Sequence, residues 1–144
     1  MKHARQVIRE EVASMLVGIT GVSFPQSKLK KLADAPAITI YTGSESSEPE
    51  SRDSINGPRR YSRFVNLNIE LVLEADASGL YENEADGFAA EIESAMAADL
   101  TLNGSATDSE LIGTEQDIDE LSEGHVLSMT VLNYRVWYRT TASD

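Results

Sequence analysis

The chain contains no cysteine. Disulfides, thiolate zinc sites, cysteine-held iron–sulfur clusters and cysteine nucleophiles are excluded together. Histidine is almost as scarce: His3 and His125 stand far apart, without ligand-like spacing. A catalytic metal site of the usual kind is not expected, and neither is any cofactor. Apolar runs are short, far below the ~20 residues that span a bilayer. Near the start, Arg9, Glu10 and Glu11 interrupt the unbroken apolar segment that a signal peptide requires. The expectation is a protein made and used in a cytoplasm, with no membrane partner.

Cations are missing from half of the chain. Between Arg63 and Arg135 there is no Lys or Arg, while sixteen carboxylates fall in that stretch. Residues 1–31, by contrast, hold six basic side chains and two acidic ones. The whole chain carries a net charge of −12. Such a surface repels phosphate backbones, so a sequence-reading nucleic-acid protein is disfavoured. Plain solubility is the competing explanation of the acidity.

Enzyme signatures are lacking too. Ser44, Ser46 and Ser47 lie in a Glu-rich stretch without a G-x-S-x-G elbow. Asp117, Asp119, Glu120 and Glu123 lack the alternating ligands and central glycine of a calcium loop. No Walker-type loop, repeat or heptad is present. The expectation is no catalysis.

What is present is patterned apolar sequence. The 144 residues fit one domain, residues 1–144. Ala4, Ile8, Val12, Met15 and Ile19 recur at helical spacing and predict a helix from about His3 to Val17, with Gly18 and Gly21 as stops. A short strand, Val22 to Phe24, precedes the basic cluster Lys28, Lys30, Lys31. Ala37 to Thr42 reads as a β-branched strand. Residues 43–60 are polar, with Ile55 as their one strongly apolar residue, and are expected to form a mobile loop. From Phe64 to Glu74 the alternation is strict. Val65, Leu67, Ile69, Leu71 and Leu73 point one way, while Phe64, Asn66, Asn68, Glu70, Val72 and Glu74 point the other, giving one dry face and one largely wet face.

A second helix is expected from about Leu80 to Ala98, with Ser78 as N-cap and an acidic face that has no basic partner in its own helix. Asn103-Gly104 marks a turn. A strand around Glu110 to Ile118 and a last strand from His125 to Thr140 follow. In the last strand the apolar parity switches near Thr130, which a bulge or a strand covered on both faces would explain. The order predicts an α+β fold: two helices packed on one face of a mixed or mostly antiparallel sheet, with a long polar loop after the first long strand.

The opening Lys2-His3-Ala4-Arg5-Gln6-Val7-Ile8-Arg9, then Phe24-Pro25, Leu32 and Pro36 to Thr42, the run from Gly43-Ser44-Glu45, and the ending Leu132 to Thr140 come in a telling order. In that order and spacing the chain resembles the minor tail protein U-like tail terminators of long-tailed phages. The resemblance spans Lys2 to Thr140. It implies a virion protein at the head-proximal end of the tail, assembled in the host cytoplasm. It implies a homo-oligomeric ring, usually a hexamer, that caps the major tail tube protein and joins the head-side connector. DNA would pass through the bore without specific binding. A head–tail connector, stopper or tail-completion protein would share the size and acidity. A monomeric ligand-binding α+β domain is the reading from another class. As assembly contacts, the charge pattern nominates Lys28, Lys30, Lys31, Glu45, Glu48, Arg52, Arg59 and Arg60.

Overall fold

The computed structural model describes residues 2–24, 36–50, 59–76, 81–122 and 125–141. Helix α1, Ala4–Leu16, begins at His3, whose ring Nδ1 accepts from the Arg5 amide at 3.0 Å and so caps the free N-terminal turn. It buries Ile8 and Val12 of the predicted stripe together with Leu16, which that stripe does not include, while Ala4 and Met15 are half-buried. Strands β1, Ala37–Pro49, and β2, Arg60–Asp76, come next, followed by helix α2, Tyr81–Ala97. Strands β3, Asp108–Ser122, and β4, His125–Thr141, complete the order. The predicted N-cap Ser78 lies outside the described residues. No described helix is long and apolar enough to cross a membrane.

The four strands form one sheet in the order β1-β2-β4-β3, with every ladder antiparallel. Ser23 adds an isolated parallel bridge to Ala37 where a short strand is predicted. Both helices lie on the same face. Ile8, Val12 and Leu16 of α1 and Ala85, Ile92 and Met96 of α2 share one apolar cluster with Val65, Leu67, Ile69, Leu71 and Leu73 of β2. From β4 come Leu132, Tyr134, Val136 and Tyr138. The central strands β2 and β4 therefore supply most of the sheet's share of this core. The α+β architecture read from the sequence is the one observed.

One expectation is corrected and one open alternative is decided. Residues 43–49 are not loop: after a register shift between Thr42 and Glu45, β1 continues to Pro49 and pairs with Tyr61–Val65 of β2. Backbone pairing and the ion pairs of Glu45 hold a stretch whose side chains carry no strand preference. Residues 51–58 of the expected loop lie outside the described residues. The parity switch in β4 is not a bulge, because its register with β2 runs without interruption. Val126, Leu127 and Ser128 are all buried, so this end of the strand is covered on both faces. The irregularities beside β4 sit in its other neighbour, β3, at Leu111/Gly113 and Glu120/Ser122.

The turn after α2 places a core side chain from an unusual backbone. Leu102, Asn103 and Gly104 all have positive φ, and Leu102 is fully buried. A left-handed leucine is strained. Asp99 holds the turn by accepting from the Asn103 amide at 2.7 Å and the Thr101 amide at 3.2 Å. The Asn103 hydrogen bond is the leading reason why its carboxyl titrates below the usual range.

Candidate assembly surface

Strand alternation divides the sheet side chains into two sets. Odd residues of β2 and even residues of β4 face the helices, and the rest face away. The register sets Phe64 directly opposite Trp137, Asn66 opposite Arg135, and Ser62 opposite Arg139. On the face away from the helices the Phe64 and Trp137 rings stack with centroids 6.0 Å apart. The Arg135 guanidinium lies 4.3 Å from the Phe64 centroid, and Arg139 lies 5.1 Å from that of Trp137. The result is a row of cation, ring and cation along β4. Arg135 and Arg139 are exposed, and the two rings are half-buried.

Arg139 also pairs with Glu50 at 3.0 Å, and Glu50 accepts from the Ser62 hydroxyl at 2.7 Å. Arg135 has no carboxylate within 4 Å among the described residues, although Glu110 stands opposite it on β3. A stacked, unpaired guanidinium is worth about 0.5–1 kcal/mol on an exposed ring, and more once a partner removes water. The Trp137 indole N–H is covered and has no acceptor among the described residues.

The helix side of the same strands holds a different cluster. Glu45 accepts from the Tyr138 hydroxyl and lies 3.6 Å from Arg5 and 3.8 Å from Arg63. Burial, then the Glu45 hydrogen bond and charge, push the Tyr138 phenol up to about 12. Burial, with the Glu93 charge beside it, does the same for Tyr134. A raised phenol pKa means that the fold favours the protonated ring. This stability is complete below pH 10 and is lost as pH rises through about 12. Alkaline unfolding, followed by circular dichroism, is therefore expected to coincide with tyrosinate absorbance above pH 10, not to follow it. Two phenols ionising at ordinary pH in a folded chain would contradict their burial.

The nominated residues that the structure describes do not converge. Lys28, Lys30, Lys31 and Arg52 lie outside the described residues. Glu45 belongs to the cluster under α1, and its side chain is only 12% exposed. Glu48 is exposed on β1 opposite Ser62, on the other face of the sheet. Arg59 is half-buried just before β2, and Arg60 is exposed opposite Thr141. The sequence reading missed the Phe64, Arg135, Trp137 and Arg139 group. Parity alone puts each of them on the polar side of its strand; only the β2–β4 register brings them together.

The α2 surface is acidic. Glu82, Glu84, Asp86, Glu91 and Glu93 are all exposed. The ion pairs seen among the described residues join Lys2 to Glu10, Arg5 and Arg63 to Glu45, and Arg139 to Glu50, and none of these reaches α2. No family model matches this chain, and no curated protein matches it.

Proposed function

We propose that this chain is a ring-forming tail terminator of a long-tailed phage. In this reading it caps the tail tube, stops its polymerisation and offers a joining surface to the head-side connector. The observation that carries the reading is the division of the sheet into a face packed by both helices and a face where β2 and β4 bear two exposed arginines over a half-buried Phe64–Trp137 stack. A ring needs one surface on each copy that fits a different surface on the next. Aromatic and arginine side chains are the types most enriched where interfaces carry their energy. The acidic remainder suits a bore through which DNA slides, because like charge keeps phosphates from adhering.

Electron microscopy of tails assembled without this protein tests the proposal. Tubes longer than wild type, with ragged head-proximal ends, are the expected result. Tails of normal length that fail to join heads would replace the terminator reading with a connector or stopper.

A further inference from the structure

We infer that the arginine–aromatic row receives the acidic outer face of helix α2 from a second copy of the chain. The inference rests on the ring reading and names the two surfaces that meet. On α2, Ala85, Ile92 and Met96 are buried against the sheet. Helical geometry puts Asn83, Gly87, Ala90 and Ser94 on the opposite side, and all four are exposed. Nothing lies within 4 Å of where a Gly87 side chain would begin. These small residues make a low ridge. Glu84 and Glu91 flank it on one side, Asp86 and Glu93 on the other.

This relief complements the sheet row. The Phe64–Trp137 stack is broad and half-buried, and it fits against small side chains that let backbones approach closely. Arg135 and Arg139 stand on either side of Trp137, about 13 Å apart at 3.3 Å per strand residue. Glu84 and Glu91 are about 10.5 Å apart along the helix, as are Asp86 and Glu93. Long arginine side chains readily span the difference. Charge selects the partner. The β3 edge carries Glu110, Glu115, Asp117 and Asp119, so it would repel both a second β3 edge and the Glu48 end of β1. Edge-to-edge pairing between copies is therefore disfavoured. Helix α2 has five carboxylates and no Lys or Arg of its own. Between copies with a net charge of −12, a contact that sets Arg135, and Arg139 beside its Glu50 pair, against such a surface is favoured over one without cations. The contact is heterologous, so a copy that gives its row to one neighbour still has its helix for the other, as a ring requires.

Charge reversal on each side provides the test. R135E/R139E and E84R/E91R, each checked for native circular dichroism, are compared with the wild type by sedimentation velocity. Self-association of either variant alone is expected to weaken by about 100-fold, since like charges then meet. An equimolar mixture is expected to recover, because both contacts in an alternating assembly again join opposite charges. The contact is overturned if either variant associates like the wild type, or if the mixture stays dissociated while the wild type assembles. It is also overturned if the wild type stays monomeric at millimolar concentration, or if single-stranded DNA occupies the row instead. Recovered assemblies that fail to bind tail-tube ends would refute the terminator role and support the contact. Capping by wild type, with association of both variants intact, would refute the contact alone.

Discussion

Ile69→Asp is expected to abolish folding. Ile69 is fully buried at the centre of β2, opposite Ile40 of β1 and Leu132 of β4. The substitution removes about 2–3 kcal/mol of apolar burial. It also leaves a carboxyl without partners in the driest part of the sheet, at roughly 2–7 kcal/mol even when the group takes up a proton. The sum is comparable with the entire stability of an ordinary domain, about 5–15 kcal/mol. Asn66→Asp is the matched control. It introduces the same group in the same strand, but on the exposed face and opposite Arg135, so its expected cost is below about 1 kcal/mol. Urea titrations of both variants separate burial from any general intolerance of carboxylates in β2. A cooperative transition for Ile69→Asp near that of the wild type would show that the side chain does not sit where the core requires it.

The contrast between these two positions also explains what the sequence made legible. Alternation in β2 announces its inner face without knowledge of any neighbour, because burial on one side imposes a period of two. The α1 and α2 stripes are readable for the same reason. The extension of β1 through Glu45 and Glu48 is not. Its residues have weak strand preference, and what keeps them extended is pairing with Tyr61–Val65, which lies beyond a local window. The arginine–aromatic row failed to appear for a related reason. Phe64 and Trp137 are 73 positions apart by number, and only the register makes them neighbours. Charge bias in the sequence pointed instead to Lys28, Lys30 and Lys31, to Arg52 and to the ends of β1 and β2. That signal is compositional and carries no information about facing.

Glu45→Ala is expected to lower stability by about 2–3 kcal/mol, the range for removing an ionised acceptor from a buried hydrogen bond. The loss leaves the Tyr138 hydroxyl and the Arg63 guanidinium without their shared partner. Arg5 contributes little to this figure, since its side chain is 41% exposed and its distance is 3.6 Å. Glu45→Gln divides the effect. The amide still accepts from Tyr138 but offers no charge to Arg63, so its expected cost is about half as large. The two variants share a second consequence. Both remove the carboxylate charge that helps to raise the Tyr138 phenol; burial, joined in Glu45→Gln by the amide hydrogen bond, is left to raise it against the lowering pull of Arg63. Its ionisation should therefore move to lower pH in each, and unfolding in alkali should begin earlier. Amide exchange at Ser46, Ser47 and Glu48 gives the local readout. Glu45 ties this part of β1 to β4 and, at longer range, to α1, so exchange there should quicken in Glu45→Ala before the core is affected. Unchanged exchange together with an unchanged urea midpoint would mean that β1 is held by its ladder alone, and that the cluster beneath α1 is only an exposed charge arrangement.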